Sequence, residues 1–372
     1  MIPSAAVLAE LERILDPEHV TASLERRRRN LLYHRTDRPP LTLFCPQRRF
    51  QPHPYAETYA DMDKMLANQL IDVYASAVVR DDTVPMIRAN YGVGTLPSLF
   101  GCTIRLVGEG LPWCEPLGSE DAVRNRIERG MPDLTSGLGG RLMDTIGYYL
   151  EALERWPVCR RLIRIYHPDL QGPFDVAHLI WGTGIYYAMV DDPDQVHALL
   201  RLVTDTYIAL MRRLKTLVRD DADGIVPHWG SLYRGGVVLR NDTAVNLSRE
   251  MYEEFVQPYD RLVLDAFGGG SMHYCGRADQ WVSSMLGTPG LLAMNFGQPP
   301  NLVFGFGFLE KVFPEARRRG IPFVNYDLTP AELSCVDRTE YASGISFCTR
   351  TEGPEEARDV LSGWSRAWGC PG

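Results

Sequence analysis

Short apolar segments alternate with longer segments of helical periodicity along most of the chain. The segments that indicate strands are LTLFCP (41–46), RLIRIYHPDL (161–170), DGIVPHW (223–229), SMHYC (271–275), LLAMNF (291–296), IPFVNYD (321–327) and ISFCTR (345–350). Strands that alternate with helices form parallel sheets covered by helices. With seven or eight such units, the pattern predicts an α/β fold, a (β/α)8 TIM barrel, in preference to an open doubly wound sheet.

Capping residues mark several of the predicted helix starts. Asp192 stands before a proline, and Thr329 and Glu332 have the spacing of a capping box. Ser248 is expected to cap a helix that Pro258 kinks. No complete G-x-G-x-x-G motif follows a strand, which disfavours a dinucleotide-binding fold.

The first 40 residues indicate helix. Val7, Leu8, Leu11 and Leu15 recur at helical spacing. We expect residues 1–40 to be an N-terminal helical extension of one barrel domain that spans residues 1–372. The basic run 26–29 is expected to form a solvated helix face.

Composition limits the classes of partner. The 372 residues carry a net charge of -8, so nucleic acid and anionic membranes are disfavoured as main partners. No apolar run reaches the roughly 20 residues that span a bilayer, and the N-terminus lacks the pattern of a signal peptide. We therefore expect a cytoplasmic protein whose eight cysteines are thiols. A homodimer remains possible.

His273 and Cys275 are the strongest candidates for chemistry. Functional groups of such barrels lie at the C-terminal ends of strands, where both residues fall. Residues two apart on a strand share a face, so the imidazole and the thiolate would lie side by side, as in half of a zinc site. A catalytic zinc ion needs a third protein ligand and one open position.

Cys348, at the end of the last predicted strand, is the expected third ligand. A buried structural thiol is the alternative interpretation of Cys348, and Cys45 on the first strand is the alternative ligand. Other strand ends predict a substrate-binding wall made of His228, Trp229, Asn325 and Asp327. For His228 a packed histidine, and for Asp327 a helix cap, are equally good interpretations.

The segment LSREMYEEFVQPYDRLVLDAFGGGSMHYCG (247–276) resembles the uroporphyrinogen decarboxylase-like superfamily. The resemblance extends over about residues 20–368 and includes HRTDRPPL (34–41) and DLQGPFDVAHLIWG (169–182). It is greatest to the methylcobamide:thiol (coenzyme M-type) methyltransferases, which carry a His-x-Cys-Gly here and a further cysteine on the last barrel strand. His273, Cys275 and Cys348 match those zinc ligands.

The resemblance implies a reaction and its partners. It implies a zinc (Zn2+) enzyme that transfers a methyl group from a corrinoid (methylcobamide) on a separate protein to a small-molecule thiol, or demethylates a small methylated substrate. The chain has no Asp-x-His-x-x-Gly cobalamin signature of its own.

The decarboxylases of the superfamily differ from this chain where they hold their substrate. They carry Arg-Gln-Ala-Gly-Arg after the first strand and a Ser-Asp pair on the next, whereas this chain has FCPQRRFQPHPY (44–55) and RANYGVGTL (88–96). Porphyrin decarboxylation is therefore disfavoured. A carboxy-lyase acting on another carboxylated substrate and a non-catalytic barrel with a structural metal remain the alternatives.

Overall fold

The computed structural model describes residues 2–106, 108, 110, 112–218, 220, 223–297 and 304–370. Its strands are β1 (Leu41–Phe44), β2 (Met86–Ile87), β3 (Thr103–Arg105), β4 (Trp113–Glu115), β5 (Arg164–Ile165), β6 (Ile225–His228), β7 (Ser231–Arg234), β8 (Val238–Arg240), β9 (Gly270–Cys275), β10 (Leu291–Gly297), β11 (Phe323–Asp327) and β12 (Ile345–Arg350).

The α-helices begin before the first strand and lie between most of the later strands. They are α1 (Ser4–Ile14), α2 (Pro17–Leu31), α3 (Tyr55–Ala60), α4 (Met62–Val79), α5 (Thr95–Leu99), α6 (Glu120–Glu128), α7 (Gly139–Leu153), α8 (Pro157–Leu162), α9 (Pro173–Trp181), α10 (Gly184–Asp191), α11 (Pro193–Lys215), α12 (Arg249–Phe255), α13 (Gln257–Ala266), α14 (Val282–Leu286), α15 (Gly305–Arg318), α16 (Pro330–Leu333) and α17 (Pro354–Ala367). None of the helices in the described part of the chain is long and apolar enough to cross a membrane.

The main sheet has six strands in the order β1-β12-β11-β10-β9-β8, and every neighbouring pair is parallel. This confirms the predicted α/β class. Strands β2 and β5 form a separate parallel pair. Single backbone hydrogen bonds connect the neighbourhood of that pair to both edge strands, from Asp82 N to Leu41 O (3.1 Å) and from Gly172 N to Arg240 O (2.7 Å).

The segment DGIVPHW is a strand but not a strand of the main sheet. Its β6 pairs with β7 as an antiparallel hairpin, and the sheet strand is β8, which the apolar pattern did not single out. The hairpin was not predicted because of its two-residue turn, Trp229-Gly230, where φ is 45° and 69°. Tight hairpins need positive φ at both turn positions, and tryptophan rarely adopts it, so the sequence carries no clear turn signal.

The predicted helix starts are confirmed. Asp192 accepts a hydrogen bond from Gln195 N at 3.3 Å, and Ser248 accepts one from Met251 N at 3.2 Å. Thr329 and Glu332 form a capping box at α16. Near Pro258 the helical segment is divided into α12 and α13.

Helices α1 and α2 occupy most of the predicted extension. Val7, Leu8, Leu11 and Leu15 are buried, and α1 packs against α4. That the chain forms a single domain stays a prediction.

The basic run 26–29 is not the solvated face that we expected. Arg26 and Arg38 form ion pairs with Asp82, at 2.6 Å for Arg26, and Asp82 also accepts a hydrogen bond from Leu41 N at 2.9 Å. Arg27 is buried and donates to Asp82 O at 2.5 Å. We call Arg26, Arg27, Arg38 and Asp82 the arginine–aspartate cluster. The prediction was wrong for Arg26 and Arg27 because their partner Asp82 is distant in sequence, whereas Arg29 is exposed as expected.

Arg27 also connects the extension to the sheet. Its guanidinium donates to Ser231 Oγ at 2.6 Å, to Asn325 Oδ1 at 3.1 Å and to Thr42 Oγ1 at 2.6 Å. These contacts join α2 to β7, β11 and β1 in one buried network.

Candidate metal centre

A cavity of about 950 Å³ is lined by the C-terminal ends of the parallel strands. We call it the main cavity. Most of the strand-end residues that the sequence singled out line it: Cys45, Trp229, His273, Cys275, Asn325, Asp327 and Cys348. Asn295 and Arg350 line it as well. The convergence follows from parallel pairing, which brings the same ends of all strands to one edge of the sheet.

Asp242, His273 and Cys275 bring three potential metal-ligand atoms within 4.8 Å of one another. His273 Nε2 lies 3.3 Å from Cys275 Sγ and 3.4 Å from Asp242 Oδ1. Tetrahedral zinc with ordinary bond lengths separates nitrogen from sulfur by about 3.6 Å and nitrogen from oxygen by about 3.4 Å. The spacing and the donor set therefore fit zinc. We call these residues the metal triad.

The orientation of His273 is determined by the neighbouring strand. Asn295 donates through Nδ2 to Val324 O at 2.6 Å, so its Oδ1 faces the ring and lies 2.5 Å from His273 Nδ1. The amide oxygen can only accept, and therefore the Nδ1 position carries the proton. Nε2 therefore points towards Cys275 and Asp242, where it can donate to the carboxylate without a metal or present its lone pair to a bound metal.

The two acidic groups of the metal triad, Asp242 and Cys275, differ in their pKa values. Burial alone would raise the pKa of Asp242, but His273 and Arg240 outweigh it and hold that pKa well below its usual range. Burial and the charge of Asp242 raise the pKa of Cys275 to about 12. Without a cation the triad thus contains a carboxylate and a protonated thiol, and metal binding must release the thiol proton.

Gly297 provides the space beside the triad. A Cβ at this position would lie 2.3 Å from Cys275 Sγ and 2.9 Å from His273 Cε1. Gly297 pairs directly with Cys275 across β9 and β10. Any side chain here would therefore displace the two ligands.

Cys348 lies on the same cavity but outside the metal triad. Its Sγ donates to Asn325 O at 3.2 Å, and burial raises its pKa well above the usual range. Cys45 also lines the cavity. The assignment of Cys348 as third ligand stays a prediction.

The four predicted substrate-binding residues have different surroundings. Trp229 lines the cavity with its ring against that of His273, 4.8 Å between centroids. Asn325 also lines it, but its side chain accepts from Arg27, and Asp327 forms an ion pair with Arg350 at the rim. His228 is fully buried and lies 3.2 Å from Asp169, so its surroundings are those of a packed histidine.

A buried charged group lies behind Trp229. Asp169 is within 3.1 Å of Arg240 and also contacts Arg88, while Trp229 Nε1 donates to it at 3.2 Å. The guanidinium of Arg240 covers the ring of Trp229 at 3.4 Å from the centroid. These contacts position Trp229 beside His273 despite its positive φ.

Sequence reasoning did not find Asp242. The residue follows β8, which the apolar pattern does not identify, because the pattern predicts a sheet strand at β6 in the preceding hairpin. The available signal was the run VVLRND after Gly235-Gly236, a short apolar segment that ends in polar residues.

Comparisons with known proteins bear on the fold. Neither a protein-family model nor a curated protein sequence matches the chain. Among solved structures, the fold is similar to that of a methyltransferase from Methanosarcina mazei, with a TM-score of 0.65 over 92% of this chain and 98% of that chain, at 12% sequence identity. The chain therefore shares its α/β fold with that protein, and the described residues place a cavity and the metal triad at the strand ends.

Proposed function

We propose that the protein is a zinc-dependent methyltransferase that transfers a methyl group from a corrinoid donor to a small thiol. The observation that carries the proposal is the metal triad, which contains a thiolate ligand and opens into a large cavity at the strand ends. Soft sulfur ligands favour a metal that binds a sulfur substrate. The methyltransferase-like fold and the sequence resemblance support the same reaction.

The barrel and its ligand set form part of this proposal. The β2–β5 pair and its links to β1 and β8 support a closed (β/α)8 barrel of the uroporphyrinogen decarboxylase-like kind. We propose that His273, Cys275 and Cys348 hold the zinc and that Asp242 is the exchangeable ligand. A carboxylate oxygen is a harder donor than a thiolate, so an incoming thiol replaces Asp242 most readily.

The zinc ligands and the residues around them then have different roles in the proposed reaction. Zinc held by these residues would lower the pKa of a bound thiol until the thiolate prevails at neutral pH. Asn295 holds the His273 ring with Nε2 towards the ligand position, and Gly297 leaves room for the side chains of His273 and Cys275. Trp229 excludes water on one side of the imidazole.

The methyl donor is proposed from the resemblance. A corrinoid on a separate protein, for which free methylcobalamin can substitute, would supply the methyl group. The acceptor is a small-molecule thiol that enters the main cavity. A cytoplasmic location and a possible homodimer remain expectations.

The test combines metal analysis with methyl transfer from methylcobalamin to a panel of thiols. Wild-type protein should bind about one zinc per chain and transfer the methyl group. Cys275→Ser should lose zinc and at least about a hundredfold in rate. Cys335→Ser, which changes an exposed thiol, is the matched control and should behave like the wild type. Equal rates in wild type and Cys275→Ser would refute the proposal.

A carboxy-lyase is the second candidate, because the buried side chain of Arg88 lines the cavity and could hold a carboxylate. A lyase of this kind would release carbon dioxide from carboxylated substrates, including porphyrinogens, after complete removal of metal. A purely structural metal would instead be held by four protein ligands and would exchange with no thiol.

A further inference from the structure

Asp72 is a carboxylate that the proposed reaction does not use. It lies on α4 and faces the main cavity, at the border with a side cavity of about 380 Å³. Its side chain is exposed to the cavity. It makes no hydrogen bond or ion pair with any residue that the structure describes.

The neighbours of Asp72 do not satisfy its charge. Arg88 is the cation whose field acts on it, but that guanidinium is paired with Asp169. Gln69, also on this wall, accepts through Oε1 from Arg88 N at 3.2 Å. Burial raises the pKa of Asp72 to about 6, so at neutral pH most molecules carry a carboxylate here.

An unpaired carboxylate in a cavity has a definite ligand preference. A ligand that fills the cavity would remove the water around this carboxylate, which is unfavourable unless a cation or several N–H donors replace that water. Aspartate accepts hydrogen bonds, and charge-assisted bonds to ammonium groups are the stronger ones. The wall that holds Asp72 therefore favours a cationic group with N–H donors over an anionic or a purely apolar group.

We propose that Asp72 determines substrate specificity by binding an ammonium group of the thiol substrate. The inference rests on the proposed function, since it takes the thiol end of that substrate to the metal triad. The two positions lie on one cavity of about 950 Å³, a size that accommodates a small bifunctional molecule. Asp72 would thus select an aminothiol from among thiols of similar length.

The first experiment measures methyl transfer from methylcobalamin to matched thiols. Aminoalkanethiols of increasing chain length are compared with the corresponding hydroxyalkanethiols and with anionic sulfonate thiols. Wild-type protein should prefer the amine to the alcohol by about tenfold in kcat/KM at the best length, which corresponds to one charge-assisted contact. Asp72→Asn should remove this preference, with a larger loss of kcat/KM for the amine than for the alcohol.

One variant serves as the control, and two results would overturn the proposal. Asp205→Asn removes the same charge from an exposed position of α11 and should keep the preference. An equal loss for amine and alcohol in Asp72→Asn would assign a structural role to Asp72 and overturn the proposal. A wild-type preference for the sulfonate would overturn it as well, in favour of Arg88 as the binding group.

A second measurement separates this inference from the proposed reaction. Calorimetric titration with the S-methyl ethers of the same amines and alcohols needs no methyl transfer. Wild-type protein should bind the amine ether about tenfold more tightly than the alcohol ether, and Asp72→Asn should bind both equally. This result without methyl transfer would retain the ammonium site and refute the reaction. Equal binding of both ethers by the wild type would refute the ammonium site.

Discussion

The arginine–aspartate cluster contains a buried carboxylate, whereas the wall of the main cavity, with the metal triad, contains carboxylates that are less buried, and the two regions satisfy these groups differently. In the cluster, Asp82 has two arginine partners at its side chain and a backbone N–H. On the cavity wall, Asp72 has no hydrogen-bond or ion-pair partner among the residues that the structure describes, and Asp242 meets a histidine and a cysteine in a geometry that fits zinc.

This difference distinguishes a carboxylate that stabilises the fold from one that is available to bind a ligand. Burial would raise the pKa of Asp82, but Arg38, Arg26 and Arg27 outweigh it and lower that pKa to about 2. At Asp72 burial dominates and the pKa rises to about 6. A carboxylate whose ionised form is favoured by folding stabilises the protein, whereas one whose ionised form is disfavoured is available for a ligand. Three substitutions test this comparison.

The largest effect is expected from Asp82→Asn. It leaves the charges of Arg38 and Arg27 buried without this counterion, although Arg26 keeps its ion pair with Asp37, so the free energy of unfolding should fall by about 3–5 kcal/mol. Because the pKa of Asp82 is lowered on folding, its contribution is complete above about pH 5 and is lost as the pH falls towards 2. Urea denaturation measured across this range, with Asp205→Asn as control, checks both statements. A loss below about 1 kcal/mol would contradict the role of the cluster.

Gly297→Ala tests the cavity side of the comparison. The added methyl group would overlap Cys275 Sγ and displace the triad, so zinc affinity should fall by about tenfold or more. Competition with a chromophoric chelator measures that affinity. Gly307→Ala is the control, because a Cβ at Gly307 meets no atom within 4 Å. Unchanged affinity in Gly297→Ala would place the zinc elsewhere than at the triad.

The smallest effect is expected from Asp72→Asn on stability. Folding raises the pKa of Asp72 to about 6, so its ionisation opposes folding, and the variant should be more stable than the wild type at neutral pH. Solvent in the cavity screens the charge, which limits the gain to below about 1 kcal/mol. The gain should disappear below about pH 4, where the carboxyl group is protonated in both states. Thermal unfolding at both pH values measures it, and a destabilised variant would show that Asp72 has a structural partner.

The sequence determined the local features of this protein. Alternation of apolar strands and helices predicted the α/β class, and the caps at Asp192, Ser248 and Thr329 were identified because capping involves residues only a few positions apart. His273 and Cys275 were placed side by side for the same reason, since residues two apart on a strand share a face.

Only the tertiary structure decided which distant groups meet. Asp242 joins His273 because β8 pairs with β9, and Arg27 is buried because α2 packs beside Asp82. The hairpin at Trp229 depends on contacts with Asp169 and Arg240, and Asp72 faces the cavity because α4 covers its wall. In each case the surroundings of a side chain are supplied by segments far away in sequence, and no local pattern records them.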